Sequence, residues 1–103
     1  MYQITFYVPV SHKEQVKDAV FSAGGGRIGN YDSCAFEIIG RGQFRPLKGA
    51  KPFLGQEQVV EYVEEAKVEL VVEDQFVQSV VSALKNAHPY ETVAYQVIKL
   101  EDF

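Results

Sequence analysis

The alternation of apolar and polar residues predicts a chain built from two similar halves. Residues 2–8 alternate with a period of two, which is typical of a half-buried β-strand. The next apolar positions follow helical spacing and are Val16, Ala19, Val20 and Ala23. We predict that a capping box of Ser11 and Glu14 starts this helix and that Gly24 ends it. A second strand is then predicted at residues 31–40, with Cys34 among its buried positions.

The second half repeats this order. Residues 57–73 alternate too strictly and for too long to form a helix. One face of this strand is predicted to hold Ala66, Val68, Leu70 and Val72. Glu64 interrupts the alternation, so we expect a bulge near Glu64 and Glu65. Asp74 is predicted to cap a second helix that ends near Ala87. The inward positions of that helix are Phe76, Val77, Val80, Val81 and Leu84. Residues 92–100 form the last predicted strand.

Two β-α-β units of this kind predict a ferredoxin-like α+β fold, a βαββαβ sandwich over residues 1–103 as a single domain. Two helices cover one face of an antiparallel sheet in this fold. The open face is predicted to carry Tyr7, Ala35, Ile39, Val71 and either Tyr95 or Ala94. Because this face is apolar, we expect it to be covered by other copies of the chain, in a trimer or, as the alternative, a dimer.

Composition narrows the function classes. The chain has 103 residues, of which 47% are hydrophobic, and a net charge of −4. An acidic protein lacks the surplus of cations that coating a nucleic acid requires, so we expect no nucleic-acid partner. One cysteine excludes an intramolecular disulfide. No signal peptide or apolar run long enough for a membrane span is present, so we expect a cytoplasmic protein without a membrane partner.

The glycine-rich segment satisfies the pattern G-x-G-x-x-G at residues 24–29. A dinucleotide site requires these glycines between a strand and a following helix, whereas here they follow a helix. We therefore predict a helix C-cap and a tight turn that needs positive φ. The alternative is an anion nest formed by the glycine amides beside Arg27.

A cationic segment at residues 41–56 contains no acid and interleaves aromatic residues with prolines and glycines. Its cations are Arg41, Arg45, Lys48 and Lys51. We predict that these cations, together with Arg27, bind an anionic small molecule or a protein partner, with Phe44 and Phe53 as contact surface. The alternative is a solvated hairpin tip whose aromatic residues fold back on the domain.

The corner His88-Pro89-Tyr90-Glu91 suggests a metal site, since His88 and Glu91 could ligate a divalent metal ion. The alternative is structural: Pro89 sets the corner, Tyr90 packs, and His88 and Glu91 hydrogen-bond backbone groups. No nucleophile and base are paired in the sequence. We therefore expect a protein that is not an enzyme.

Four segments together resemble a known family. They are residues 24–31 (GGGRIGNY), 34–36 (CAF), 40–55 (GRGQFRPLKGAKPFLG) and 87–95 (AHPYETVAY). This string resembles the CutA-like domain found in YqfO-type proteins of the NIF family, and the resemblance covers essentially the whole chain. It implies a ferredoxin-like subunit related to CutA and the signalling protein PII, which usually form trimers.

The resemblance does not extend to the dinuclear metal site of the NIF scaffold, because no part of this chain corresponds to that scaffold. Similarity to CutA favours divalent-cation binding at His88, and similarity to PII favours small-molecule sensing through residues 41–56. Our hypothesis is a non-enzymatic, oligomeric module that binds a small anion or a protein. A CutA-like divalent-cation-binding protein is the alternative.

Overall fold

The computed structural model describes all residues from 1 to 103 and has the predicted ferredoxin-like architecture. The elements, in chain order, are β1 (Tyr2–Pro9), α1 (Lys13–Ser22), β2 (Phe36–Phe44), β3 (Glu61–Val72), α2 (Val77–Ala87) and β4 (Tyr95–Lys99). The strands form one antiparallel sheet in the order β2-β3-β1-β4. None of the helices is both long and apolar enough to cross a membrane.

The hydrophobic core lies between the two helices and the central strands. In β1 and β3 every second residue points toward the helices, as the period of a strand requires. The buried apolar residues are Ile4, Phe6, Val8, Val16, Val20, Ala66, Val68, Leu70, Val72, Val80 and Leu84. The predicted inward face of β3 is thus confirmed.

Neither helix begins as predicted. A short 3₁₀ turn precedes each helix, and no side chain caps either one. The Ser11 hydroxyl lies 2.8 Å from Nδ1 of His12, and the Glu14 carboxylate lies near the Lys17 ammonium. The Asp74 carboxylate contacts the amino group of Met1. The capping box and the Asp74 cap were therefore wrong, because other partners take these side chains.

Strand β2 begins five residues later than predicted and ends four residues later. Residues 31–35 turn instead, with a bridge between Ile28 and Tyr31 and a positive φ of 56° at Ser33. Cys34 is half-buried and lies outside the strand, contrary to the expectation of a buried strand residue. The later end places Arg41 in the strand rather than in a loop.

The predicted bulge in β3 is absent. Its register with β2 runs without interruption, and Glu64 lies opposite Arg41 while Glu65 lies opposite Gly40. Glu64 stays on the helix side of the sheet but is exposed. The β2–β3 pair extends past the end of β1, whose Pro9 pairs with Glu65, so the helices leave this end of β3 uncovered.

The open face of the sheet differs in part from the prediction. Tyr7 and Val71 lie on it as expected. Ile39 pairs with Ala66, and Tyr95 pairs with Phe6, so both turn toward the helix side instead. Ala35 and Ala94 lie outside the strands. The faces of β2 are exchanged relative to the prediction, because its register with β3 places Phe36 and Ile38 on the open face and Ile39 on the helix side. The most exposed apolar residues of this face are Phe36, Ile38 and Ile98.

The glycine-rich corner is the tight turn that the sequence predicts. Gly24 and Gly26 have positive φ values of 114° and 74°, and a Cβ atom on Gly26 would lie 2.7 Å from the Cys34 carbonyl oxygen. The amides of Gly24, Gly25 and Gly26 donate to the carbonyls of Phe21, Val20 and Val71. An anion nest at these amides was wrong, because all three N–H groups already have partners.

Candidate functional site

A cavity of about 810 Å³ lies on the open face of the sheet, at the end where β2 and β3 extend past β1. Its floor comes from the strands, through Tyr7, Gly40, Gly42, Glu65 and Lys67. The connection between β2 and β3 and the corner after α2 form its walls. This size is typical of small-molecule sites in proteins.

The walls form because residues 45–60 fold against the domain. The amide of Gln58 donates to the carbonyl of Pro46 over 2.6 Å, and the Glu57 carboxylate accepts the amide of Gly49 over 3.2 Å. Pro46 is buried. The segment is therefore compact although it contains no helix or strand.

Aromatic side chains line one side of the cavity. The ring of Tyr90 lies 5.9 Å from that of Phe44 and 6.4 Å from that of Phe53, between centroids. The Phe53 ring also meets the His12 ring edge-on at 5.1 Å. The structure thus confirms that the aromatic residues of this segment fold back on the domain. They do so around a cavity rather than against a closed surface.

A carboxylate lies on the cavity floor. The Tyr90 hydroxyl donates a hydrogen bond to Oε2 of Glu65 over 2.8 Å. Burial raises the pKa of Tyr90, and so does its hydrogen bond to Glu65, so the hydroxyl keeps its proton. Gly42 provides the space for this carboxylate, because a Cβ atom there would lie 1.8 Å from Oε1 of Glu65.

His88 is buried beside the cavity and both of its ring nitrogens have partners. Nε2–H donates to the carbonyl of Tyr7 over 2.7 Å, and Nδ1 accepts the amide of Tyr90 over 3.1 Å. Burial lowers the pKa of His88, which favours the neutral ring. This matches the structural alternative for the corner, in which His88 hydrogen-bonds backbone groups.

Glu91 lines the cavity, and its carboxylate accepts the amide of Lys51 over 3.1 Å. It thereby ties the β2–β3 connection to the corner. A divalent ion on His88 would have to displace a hydrogen bond from its ring. No three His, Cys, Asp or Glu side chains are grouped in a way that could hold a metal ion. Metal binding by His88 and Glu91 stays a prediction that this geometry does not favour.

The predicted anion-binding residues are divided between several places. Arg41, Phe44 and Arg45 line the cavity, whereas Lys48 and Lys51 do not. Arg27 lies over the ring of Phe76, 5.4 Å from its centroid, and borders a separate shallow depression. None of the five cations forms an ion pair within the chain. Arg41 stacks on Tyr62 with its guanidinium carbon 4.1 Å from the ring centroid.

Sequence reasoning missed all five residues of the floor, namely Tyr7, Gly40, Gly42, Glu65 and Lys67. Glu65 and Lys67 looked like part of a solvated charge run, and Tyr7 was expected only on an open face. The available signal was the period of two in β3, which separates Glu65 and Lys67 from the buried Ala66 and Val68. Their meeting with Tyr90 depends on the topology of the sheet.

The chain is similar to proteins named GTP cyclohydrolase 1 type 2 homolog. That of Halalkalibacterium halodurans is 41% identical over 100 residues, which are 97% of this chain but 27% of the relative. The chain thus spans about a quarter of the length of the curated relatives it matches. No protein-family model matches the chain.

Solved structures agree with this similarity. A Bacillus cereus protein related to NIF3 aligns with a TM-score of 0.83 and 38% identity, over 98% of this chain and 26% of the other. CutA1 from Pyrococcus horikoshii aligns with a TM-score of 0.70 and 17% identity, over 100% of this chain and 86% of the other, which establishes a shared fold. The chain therefore has the CutA fold and is similar, over almost its whole length, to one segment of NIF3-related proteins.

Proposed function

We propose that this chain is a non-enzymatic binding module whose cavity takes a small organic anion with an aromatic body. The observation that carries the proposal is the cavity itself, with aromatic and apolar walls and the unpaired Arg45 among its lining residues. A cyclohydrolase activity, which the names of the relatives suggest, is not part of the proposal, because this chain spans about a quarter of those proteins.

The walls favour a flat apolar group. Phe44, Phe53 and Tyr90 present ring surface, and Pro46 and Leu47 complete the apolar side. Stacked aromatic pairs contribute about 0.5–1.5 kcal/mol beyond the area that they bury. A ring of one or two fused cycles fits a cavity of about 810 Å³ with room for a charged substituent. A concave site of this kind suits a small molecule better than a protein partner.

The cations favour an acid group on that ligand. Arg45 lines the cavity, is exposed and has no carboxylate partner within the chain. An unpaired guanidinium beside an apolar wall can bind a carboxylate or phosphate through two parallel hydrogen bonds. Arg41 also lines the cavity, but its position opposite Glu64 places its side chain on the helix side of the sheet, where the guanidinium stacks on Tyr62. Arg45 is therefore the cation that would bind the acid group.

The proposal is tested with three probes, namely 2-naphthoate, phenyl phosphate and 1-naphthalenesulfonate. Calorimetry measures the affinity of the chain for each of them. We expect Arg45→Ala to weaken binding about 10-fold to 100-fold, because a charge-assisted hydrogen bond is worth about 1.5–3 kcal/mol. Lys48→Ala removes the same charge from the same connection but outside the cavity. It should change the affinity less than about 2-fold. Equal losses in both variants would indicate only general attraction of anions, and the absence of binding by any probe would contradict the proposal.

We further propose that the module assembles into a homo-oligomer, with a trimer favoured over a dimer. Support comes from the open face, where Phe36, Ile38 and Ile98 are 65%, 53% and 53% exposed. The cationic segment at residues 41–56 and the acidic stretch at residues 57–74 offer complementary charges for a head-to-tail contact.

A cytoplasmic location stays a prediction.

Light scattering at micromolar concentration tests the assembly. We expect three times the mass of the chain. Ile98→Asp should reduce the oligomer to a monomer, because a charge on a face that the oligomer buries is costly. Ser82→Asp, on the exposed part of α2, is the matched control. A wild-type monomer would contradict the proposal, and a dimer would contradict the head-to-tail arrangement.

A further inference from the structure

We propose that Glu65 selects the ligand, and that the ligand therefore carries a nitrogen with N–H groups in addition to its aromatic body and its acid group. This inference rests on the proposed function, since it concerns the same cavity. It adds one requirement that the walls and Arg45 do not impose. The chemical class is an aromatic acid with an amino or aminomethyl substituent.

The first step is that the two carboxylate oxygens of Glu65 differ in their hydrogen bonds. Oε2 accepts the hydrogen bond from the Tyr90 hydroxyl, which orients the carboxylate. No group of the protein donates to Oε1. Because no fully buried side-chain oxygen or nitrogen lacks a partner in this structure, Oε1 keeps some contact with solvent. An oriented and accessible acceptor therefore lies on the cavity floor.

The second step concerns the charge. Glu65 is half-buried and forms no ion pair. Lys67, its neighbour on the same face of β3, has its ammonium 4.0 Å from Glu69 instead. A carboxylate that is partly withdrawn from water and lacks a cation gains from a donor or a positive charge brought by a ligand.

The third step is the role of Gly42. The carboxylate of Glu65 lies over Gly42, where a Cβ atom would come within 1.8 Å of Oε1 and 2.6 Å of the carboxyl carbon. Alanine at this position would push the carboxylate away from the floor. Gly40 lies two residues earlier on the same face of β2 and also lines the cavity, but a Cβ atom there meets nothing within 4 Å. Substitution of Gly42, and not of Gly40, would therefore displace the carboxylate of Glu65.

The experiment compares two isosteric probes, 4-(aminomethyl)benzoate and 4-ethylbenzoate, by calorimetry on the full chain. The pair shares ring, acid group and shape, and differs only in the ammonium. We expect the wild type to prefer the aminomethyl compound about 10-fold or more, as for a charge-assisted hydrogen bond. Glu65→Gln and Gly42→Ala should abolish this preference. Glu61→Gln makes the same change on the same face of β3 but outside the lining of the cavity, and it should keep the preference.

The outcomes separate the two proposals. If both probes bind equally well to the wild type, or if Glu65→Gln keeps the preference, the inference is wrong while the binding function stands. If neither compound binds and no other aromatic acid does, the proposed function fails and the inference fails with it. If Gly42→Ala does not fold, Glu65→Gln still decides, because it retains the size of the side chain and a hydrogen-bond acceptor.

Discussion

The two faces of strand β3 show how one element serves stability and binding at once. Ala66 and Val68 point toward the helices and are fully buried. Glu65 and Lys67, their direct neighbours along the chain, point into the cavity on the other face. The core face of β3 is apolar from Ala66 to Val72, whereas the cavity face of the sheet combines charged groups, the glycines of β2 and aromatic rings.

The difference means that stability and ligand recognition can be changed separately. Alternation places neighbouring residues about 180° apart around the strand axis, so a substitution on one face leaves the other in place. Substitutions on the helix side should therefore lower the free energy of unfolding. Substitutions on the open side should mainly alter binding.

The largest expected effect contrasts two adjacent residues of β1. Phe6 has no exposed surface and belongs to the core, whereas Tyr7 is half-buried and lines the cavity. We expect Phe6→Ala to lower the free energy of unfolding by about 3–5 kcal/mol, because it removes a buried ring and leaves a cavity. Tyr7→Ala should lower it by about 1–2 kcal/mol. Urea denaturation measures both values.

The affinity for a ligand should fall more in Tyr7→Ala than in Phe6→Ala, the reverse of the order in stability. The Tyr7 carbonyl that holds His88 belongs to the main chain and survives Tyr7→Ala. The loss of its ring should still weaken 2-naphthoate binding, because the side chain forms part of the floor. Where Phe6→Ala fails to fold, Phe6→Leu provides a milder version. Equal losses of stability in the two alanine variants would contradict the separation of the faces.

A smaller effect on stability is expected from the protonation of His88, which is buried beside the cavity. Its pKa in the folded protein is lowered by burial from an ordinary value of about 6.5, so the unfolded chain binds the proton more readily. Protonation of His88 therefore has no effect on the free energy of unfolding well above pH 6.5. As the pH falls below about 6.5, stability decreases by at most about 1.4 kcal/mol per pH unit.

Urea unfolding between pH 7.5 and pH 5 measures this slope. His88→Gln keeps a donor and an acceptor but cannot take up a proton in this range, so its unfolding midpoint should vary less with pH. His12→Gln is the matched control. The charge of His12 contributes least among the causes that act on the His88 pKa, so this variant should keep most of the wild-type slope. A wild-type slope that persists in His88→Gln would assign the pH dependence to other groups.

The sequence was sufficient for the fold because its signals are local. The period of two in β1 and β3 and the helical spacing of Val16 and Val20 each depend on a few neighbouring residues. The predicted start of β2 was wrong because residues 31–35 form a turn. Ser33 in this turn has a positive φ, which residues other than glycine seldom adopt. The expected caps failed because their side chains found partners outside the helix.

The site was predictable only in part. Arg41, Phe44 and Arg45 stood out because they lie in a cationic segment with aromatic residues. Glu65 did not, because its partner Tyr90 is 25 residues away and reaches it only through the pairing of β1 with β3 and the corner at Pro89. Contacts of this kind depend on the topology rather than on any local pattern.

The most direct test of the central claim is a titration of ¹⁵N-labelled protein with 2-naphthoate, followed by ¹H–¹⁵N correlation NMR. We expect saturable shifts of the amides of Gly40, Gly42 and Phe44, which belong to the strand at the cavity, and unshifted amides near Phe36. Shifts centred on Phe36 and Ile98 at the exposed apolar end of the open face, with the two glycine amides unchanged, would contradict the account.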